Sequence, residues 1–366
     1  MIWIHERTAW PDLSWRSDEL AAPLAAVRHA QGRLLGRMEG LGFELRAEAG
    51  LAVLTGDAVK TSAIEGERLD PEAVRSSIAR RLGLDAAGLP EPGRAVDGLV
   101  DVLLDAVRNF RDPLTRERLF EWHASLFPIA HPRMVVGGWR TDAEGPMQVV
   151  SGPIGARRVH YEAPAAHRIE KEVGVFLDWF NADSGIDPVL MAGAAHFWFV
   201  TIHPFDDGNG RIARAIADMC LARADGLPDR FYSMSTQIEA ERKDYYRELE
   251  LRQRGDTDIT PWLEWFIACL GRSIVRAEGV LAGVLGKARL WAKLADRPVN
   301  PRQRLIINRM LDGFKGYMTT AKYAKIAKCS SDTALRDIRA LVEYGVLVQN
   351  PAKGRSTSYR LADPPE

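Results

Sequence analysis

The spacing of apolar residues along the chain predicts a mainly helical protein. Apolar positions recur every three or four residues over 17–45 and again over 164–181, which favours helices with one buried face. The segment 189–201 is apolar nearly all round, and this predicts a helix at the centre of the molecule. Asp187 and Pro188 give that helix its N-terminal signals.

The pattern changes over residues 146–162. Two short β-prone runs flank a turn rich in Gly and Pro, so the segment predicts a β-hairpin. An isolated hairpin is marginally stable, so we expect it to lie on the helices, with a free edge able to pair with another chain. An ordinary surface hairpin is the alternative.

The C-terminal residues 300–366 predict a separate unit. Helical patterns begin at Asn300 and cover 319–327 and 330–343, and β-prone runs follow at 346–348 and 358–361. This is the order of a winged helix-turn-helix domain. Its third helix and wing carry candidate contacts to DNA within 330–360, namely Ser331, Thr333, Arg336, Arg339, Lys353 and Arg355. Such modules also serve as protein-interaction or homodimer units, and this alternative stays open.

Composition adds few restrictions. The 366 residues are enough for two or three domains, and 49 basic side chains balance 49 acidic ones. Overall charge therefore points to neither a nucleic-acid nor a membrane partner. The 3 cysteines are far apart, and the chain shows neither a signal peptide nor an uncharged apolar run of roughly 18 residues. We therefore expect a cytoplasmic protein.

The stretch with the most chemistry is His203 to Arg214, which reads HPFDDGNGRIAR. Its Gly-Asn-Gly turn before a predicted helix suits an anion-binding site made of backbone N–H groups. Arg211 and Arg214 lie on one helical face and can reach the same polyphosphate. Asp207 can hold Mg2+ that bridges phosphate oxygens, and His203 remains as a base. A glycine-rich turn between helices would explain the glycines alone.

Two other histidines, His123 and His196, fall within largely apolar stretches. For both we expect a place in the core rather than a role as a ligand.

A second informative stretch is residues 57–66. Asp57 is a candidate N-cap and Gly66 a candidate stop, so a short helix is predicted between them. Glu65 then lies at the helix C-terminus, where the helix dipole disfavours a carboxylate by up to about 1 kcal/mol. Such an acid is either solvated or paired with a cation, and Thr61, one turn earlier, could fix its rotamer.

Residues 203–214 match in full the signature HPFxDGNGRxxR of Fic proteins, and the chain resembles that family. The resemblance implies a helical Fic bundle with a β-hairpin flap at 146–162 that aligns the target segment. It implies transfer of AMP from ATP to a Tyr, Thr or Ser hydroxyl of a target protein or of the enzyme itself. The implied roles are general base for His203, Mg2+ ligand for Asp207, phosphate cradle for Gly208, Asn209 and Gly210, polyphosphate contact for Arg211 and γ-phosphate contact for Arg214.

Residues 61–66 resemble the inhibitory motif [S/T]xxxE[G/N] of the same family. The resemblance implies that Glu65 pairs with Arg214, so that ATP binds in a non-productive pose. Because the motif precedes the catalytic core, the chain resembles the class with an N-terminal inhibitory helix. In some relatives the same glutamate is associated with removal of AMP, so de-AMPylation is a further alternative.

Other assignments complete the prediction. Tyr245 and Tyr246 resemble residues beside the nucleotide pocket, with helix packing as the alternative. The expected domains are an N-terminal helical module, the catalytic core, a helical linker and the winged helix-turn-helix domain, at 1–95, 96–270, 271–299 and 300–366. Alternatives to AMP transfer are a DNA-binding regulator with a nucleotide-sensing Fic domain, or an enzyme that transfers another group.

Overall fold

The structure is a computed structural model that describes residues 2–86, 88–143, 145–152, 157–311, 314, 316–351 and 357–362. The chain divides into two compact units, residues 1–278 and 279–366. The finer predicted domain boundaries remain predictions. Among the described residues, no helix combines the length and the apolar character needed to cross a bilayer.

The molecule is mainly helical, as the apolar spacing predicted. The helices are α1 (Ser17–Glu39), α2 (Phe43–Ile64), α3 (Pro71–Leu82), α4 (Arg94–Arg108), α5 (Arg116–Leu126), α6 (Ile169–Asn181), α7 (Pro188–Ile202), α8 (Asn209–Asp225), α9 (Met234–Ala240), α10 (Arg242–Gln253), α11 (Thr260–Lys293), α12 (Pro301–Leu311), α13 (Thr320–Ile326) and α14 (Ser331–Glu343). The strands are β1 (Gln148–Ser151), β2 (Arg158–Glu162), β3 (Leu347–Gln349) and β4 (Tyr359–Leu361), and short 3-10 turns cover Ile4–Glu6 and Ala166–Arg168.

Helix α7 forms the centre of the first unit. Every residue from Val189 to Ile202 is buried, as the apolar run predicted. The carboxylate of Asp187 accepts a hydrogen bond from the Val189 N–H at 2.8 Å, and Pro188 takes the first helical position, where its missing N–H costs nothing. Helix α7 packs along α8, so the turn between them is held on both sides by core helices.

Three predicted helix boundaries are wrong. The helix predicted over 164–181 begins at Ile169, after the 3-10 turn Ala166–Arg168. The helix predicted over 17–45 ends at Glu39, because Gly40 and the extended Gly42 separate α1 from α2. The helix predicted to begin at Asp57 begins at Phe43 instead. Asp57 is buried within α2, and its carboxylate accepts hydrogen bonds from Ser233 Oγ and Ser235 N at the start of α9. Asp57 therefore stabilises the start of a helix far away in the sequence, where Ser233 is the N-cap, rather than the start of its own helix.

The hairpin predicted over 146–162 is present as the antiparallel pair β1 and β2. Its register shifts between Val149 and Val150, and residues 153–155 of the turn predicted at 151–155 lie outside the described residues. Among the described residues, β2 is the one strand that pairs with β1. The other edge of β1 therefore carries unpaired backbone groups.

The second unit contains α12, α13 and α14 followed by the antiparallel pair β3 and β4. Its apolar core includes Ile306, Ile307, Tyr323, Ile338 and Leu341. This is the predicted order of elements, whereas the assignment as a winged helix-turn-helix domain remains a prediction. The proposed wing contacts Lys353 and Arg355 lie outside the described residues.

Candidate active site

The turn between α7 and α8 is built by backbone chemistry that the sequence specifies locally. Helix α7 ends at Ile202, and His203 takes a left-handed conformation with φ of 52°, directly before Pro204. Gly208 caps α8 with φ of +81°. A Cβ at Gly208 would lie 2.9 Å from Cε2 of Phe127, so both the conformation and the space require glycine.

The Asn209 side chain stabilises this turn with two hydrogen bonds to the Phe205 backbone. Its Oδ1 accepts from the Phe205 N–H at 3.0 Å, and its Nδ2 donates to the Phe205 carbonyl at 2.8 Å. Phe205 is fully buried and stacks on His123, with 4.2 Å between ring centroids. His123 is itself buried and accepts from the Gly137 N–H, which confirms its predicted place in the core. The Asn209 side chain is thus committed to the shape of the turn.

Arg140 is a structural residue of the site that sequence reasoning missed. Its Nε donates to the His203 carbonyl at 2.8 Å, and its Nη2 donates to the Pro164 carbonyl at 2.5 Å. Its backbone N–H donates to the Pro204 carbonyl at 3.0 Å. The side chain is completely buried, and burial lowers the pKa of its guanidinium despite the nearby Asp142. A lone arginine in a turn-rich segment gives no periodic signal that would have revealed this role.

His203 presents one ring nitrogen for proton transfer. The ring is half-buried, and its Nδ1 lies 3.2 Å from the Val200 carbonyl, so Nδ1 carries the hydrogen in the neutral form. Burial lowers the pKa of His203 to about 4, and the charge of Arg140 acts in the same direction. At neutral pH the imidazole is therefore uncharged and has its lone pair on Nε2, as a base requires.

Asp207 lies beside the start of α8 with its side chain 53% exposed. Its Oδ1 accepts from the Gly208 N–H at 2.5 Å and is 3.6 Å from Nη2 of Arg211. No cluster of three His, Cys, Asp or Glu side chains able to hold a metal occurs among the described residues. An exposed single carboxylate fits Mg2+ that takes its other ligands from phosphates and water.

The two predicted halves of the site meet at Arg214. This side chain is 2% exposed, and its Nη2 donates to Glu65 Oε1 at 2.7 Å. Its Nε donates to Thr61 Oγ1 at 2.7 Å, and Nη2 also donates to the Thr61 carbonyl at 3.0 Å. The hydroxyl of Thr61 therefore holds the arginine, whereas the sequence suggested that it would fix the carboxylate. Burial acts to lower the pKa of Arg214, but the charge and hydrogen bond of Glu65, together with Tyr245 and Tyr246, raise it above its ordinary value.

The Glu65 carboxylate fills the space beside the first turn of α8. A Cβ at Gly210 would lie 2.2 Å from Glu65 Oε1 and 3.1 Å from Arg214 Nη1. Glycine at this position is thus what permits the carboxylate to approach. The N-terminus of a helix favours a negative group, and in this structure a glutamate side chain supplies it.

Arg211 pairs with a residue that the sequence did not single out. Its Nη1 donates to Glu67 Oε2 at 3.0 Å, and its guanidinium lies over the ring of Phe127, 4.9 Å from the centroid. The arginine side chain is 5% exposed. The signal available in the sequence was a second acid directly after Gly66.

The two adjacent tyrosines differ in their surroundings. Tyr245 is buried, and its hydroxyl is 2.9 Å from Nε2 of His196, which confirms the core position predicted for that histidine. Tyr246 is 38% exposed, and its hydroxyl donates to the Ile64 carbonyl at 3.1 Å. These contacts fit the packing alternative for Tyr245 and place Tyr246 beside the end of α2.

The hairpin is fastened to the first unit through β2. The Tyr161 hydroxyl donates to the Thr201 carbonyl at 2.6 Å, close to the end of α7. Glu250 of α10 accepts from Arg158 at 2.7 Å and lies 2.6 Å from Nδ1 of His160. Because α10 holds β2, the free edge of β1 lies on the other side of the hairpin.

Two segments of the chain match known protein families. The Fic/DOC family matches residues 113–221, and a domain of unknown function (DUF4172) matches residues 3–84. The protein adenylyltransferase Fic of Nematostella vectensis is 26% identical over 218 residues, covering 58% of this chain and 46% of the relative. The protein adenylyltransferase fic-1 of Caenorhabditis elegans is 26% identical over 233 residues, covering 60% and 40%. This chain thus spans less than half the length of these relatives.

Solved structures share the fold. A Fic family protein from Desulfovibrio desulfuricans aligns over 94% of this chain and 97% of its own, with a TM-score of 0.51 and 21% identity. A Fic domain containing signaling protein from Bacteroides thetaiotaomicron aligns over 70% and 98%, with a TM-score of 0.54 and 19% identity. The matched signature, the family match and the shared fold together show that this chain contains a domain of the Fic/DOC family.

Proposed function

We propose that this chain is a protein adenylyltransferase that transfers AMP from ATP to a Tyr, Thr or Ser hydroxyl of a target protein or of itself. We further propose that Glu65 represses this activity by pairing with Arg214. The observation that carries the proposal is the 2.7 Å contact between these two side chains, since it joins the inhibitory motif to the signature. The names of the relatives support the activity at the level of the family.

The side chains suit this transfer. His203 accepts the proton of the target hydroxyl on Nε2 while the hydroxyl oxygen attacks the α-phosphorus of ATP. The new oxygen–phosphorus bond forms as the bond from the α-phosphorus to the bridging oxygen breaks, and pyrophosphate leaves. The N–H groups at the start of α8 and the guanidinium groups of Arg211 and Arg214 stabilise the negative charge of the phosphates. Asp207 would hold Mg2+, which when bound neutralises phosphate charge.

The proposed repression follows because Glu65 occupies the arginine that would otherwise bind the γ-phosphate. As long as Glu65 holds Arg214, the γ-phosphate has no arginine to pair with, and the Glu65 carboxylate repels phosphate from the space beside Gly210. ATP then binds with its phosphates misplaced relative to His203. A misplacement of about 1 Å lowers the rate of such reactions on the order of 100-fold.

We propose that the target segment docks along the free edge of β1. A peptide added to this edge would gain main-chain hydrogen bonds, with side chains deciding specificity. The contacts of β2 with α7 and α10 support this proposal because they fix the hairpin from its opposite side.

The test uses the Glu65→Gly variant, the wild type and the double variant Glu65→Gly/His203→Ala. We expect Glu65→Gly to incorporate label from α-labelled ATP into protein much faster than the wild type, and the double variant to incorporate none. Mass spectrometry of the adducts, formed with mixed nucleotides, should show one AMP moiety per modified hydroxyl. Absence of any nucleotide adduct with Glu65→Gly would contradict the proposal, and another mass would identify a different transferred group.

A second candidate function, DNA binding by the C-terminal unit, is favoured by one observation. Arg336 and Arg339 are both exposed on α14, while Ala334 and Ile338 of the same helix are buried. The helix thus has a basic face opposite its core face, which suits contact with phosphates. We expect the full chain to shift duplex DNA in a gel, and Arg336→Ala/Arg339→Ala to lose that shift. An unchanged shift with the double variant would exclude this face as the DNA contact.

A further inference from the structure

Both arginines of the signature are held by acids of one short segment. Arg214 binds Glu65 at 2.7 Å and Arg211 binds Glu67 at 3.0 Å. The two glutamates flank Gly66, which has φ of +88°. A single turn after α2 therefore supplies a carboxylate to each guanidinium.

The position of Glu67 is fixed by the way α2 ends. The Glu67 N–H donates to the Ser62 carbonyl at 3.0 Å, and the Gly66 N–H donates to the Ala63 carbonyl at 3.1 Å. These two bonds with a left-handed glycine form a Schellman motif, a common helix ending. The motif fixes the backbone of Glu67, so its carboxylate reaches Arg211 from an ordered position.

Arg211 needs the charge that Glu67 provides. The guanidinium is 5% exposed, whereas Glu67 is 48% exposed and can leave for water at small cost. The other nearby acid is Asp207, at 3.6 Å from Nη2. A buried cation requires an anionic partner, and an exposed acid is a partner that another anion can replace.

We propose that Glu67 sets the affinity of the site for nucleoside triphosphates by competing with their polyphosphate for Arg211. This inference rests on the proposed function and adds a residue to it. The two glutamates then control different quantities. Glu65 decides whether the bound triphosphate lies in a productive pose and so acts on kcat. Glu67 competes equally with the ground state and the transition state, so its loss lowers KM and leaves kcat unchanged.

The first experiment measures binding, independently of turnover. ATP and adenosine are titrated into the wild type, Glu67→Gln and the control Glu44→Gln. Glu44 is an exposed acid in the first turn of the same helix, about 30 Å along its axis from Glu65. We expect Glu67→Gln to bind ATP about threefold to tenfold more tightly than the wild type, the range of a partly exposed ion pair. Adenosine affinity and the control variant should not change.

The second experiment measures the kinetic effect in the activated background. We expect Glu65→Gly/Glu67→Gln to have a KM for ATP lower than that of Glu65→Gly by about the same threefold to tenfold, with kcat within about twofold. The variant Glu65→Gly/Glu67→Asp keeps the carboxylate, and its KM for ATP should lie between the values of the other two variants. Unchanged ATP affinity in Glu67→Gln, or an equal change for adenosine, would overturn the role of Glu67. If Glu65→Gly transferred no AMP while Glu67→Gln still bound ATP more tightly than the wild type, the result would contradict AMP transfer and leave the role of Glu67 standing.

Discussion

At the residue scale, Arg214 is a buried charge whose only acidic hydrogen-bond partner among the described residues is Glu65. Removing one partner of a buried pair leaves an uncompensated charge and costs roughly 3–5 kcal/mol. Thr61 then remains, through its hydroxyl and its carbonyl. The state of Arg214 thus depends on two residues at the end of α2, Thr61 and Glu65, and the side chain of each can be substituted separately.

Removal of the Glu65 carboxylate should lower the stability of the protein, and bound ATP should restore part of it. We expect Glu65→Gly to unfold at a lower temperature than the wild type, because Arg214 loses its counter-charge. Since the Glu65 side chain is 27% exposed, the free energy of unfolding should fall by about 3 kcal/mol, the lower end of that range. Added ATP should raise the melting temperature of the variant more than that of the wild type, whereas adenosine should not. Equal shifts by ATP in both proteins would show that Arg214 does not receive the phosphate.

Loss of the Thr61 hydroxyl should relieve repression in part. Thr61→Val keeps the volume of the side chain but removes the acceptor for Arg214 Nε, a hydrogen bond worth about 1.5–3 kcal/mol when one group is charged. We expect AMP incorporation to rise on the order of tenfold, measured as the initial rate with α-labelled ATP. Thr55→Val is the matched control, since that hydroxyl donates to the Leu51 carbonyl within α2. A rate no higher than that of the control would rule out a role for Thr61 in repression.

At the element scale, the site is assembled from the end of α2, the end of α7 and the start of α8. Helix α10 connects the hairpin to this assembly, because Glu250 binds Arg158, His160 and Arg254. Burial acts to raise the pKa of Glu250, but hydrogen bonds from His160 and Arg158 and the charge of Arg254 together lower it. The carboxylate is therefore ionised at neutral pH and holds β2.

Weakening this attachment should affect the protein substrate and not the nucleotide. In the Glu65→Gly background, we expect Glu250→Gln to lower AMP incorporation into protein about threefold to tenfold, since charge-assisted hydrogen bonds to β2 are lost. ATP affinity, measured by titration, should stay the same. Glu248→Gln is the control, because Glu248 lies on the same helix and pairs with Arg247 and Arg252. Equal losses in both variants would contradict a specific role of the hairpin contact.

At the scale of the whole molecule, buried histidines dominate the expected response to acid. Burial lowers the pKa of His5, His123 and His203 to about 4 and that of His196 to about 3. An unfolded histidine takes up a proton near pH 6.5, so the unfolded state binds more protons between that pH and the lowered native pKa. Stability therefore falls as the pH drops from about 6.5 towards 4.

The contribution of His196 can be isolated by a difference measurement. Because His196 stays neutral in the folded protein, its contribution should lower the free energy of unfolding by about 2 kcal/mol as the pH falls from 7.5 to 5. We expect urea unfolding to show a smaller loss over this range in His196→Gln, whose amide still reaches the Tyr245 hydroxyl, than in the wild type. Taking the difference cancels the other titrating groups. The same loss in both proteins would show that His196 is not held neutral.

The sequence by itself determined the features that depend on neighbouring residues. Pro204 and Gly208 fix the turn between α7 and α8, and the all-apolar run before it places α7 in the core. Glu65 lies at a helix end because Gly66 stops α2. Backbone conformation and hydrophobic spacing act over a few residues, so such features can be predicted locally.

Only the tertiary structure decided which of these features meet. Arg140 reaches the His203 carbonyl, Asp57 binds Ser233 at the start of α9, and Glu67 reaches Arg211, each across more than 60 residues of sequence. The sequence does not specify the partner in any of these contacts, since an acid or a turn arginine looks the same whichever distant group it binds. The contacts of Asp57 and Glu67 exist because α2 packs against α9 and α8, and the contact of Arg140 exists because its backbone N–H also binds the Pro204 carbonyl in the turn after α7. The sequence thus supplies the reactive groups of the site, and the packing of the helices decides which of these groups pair.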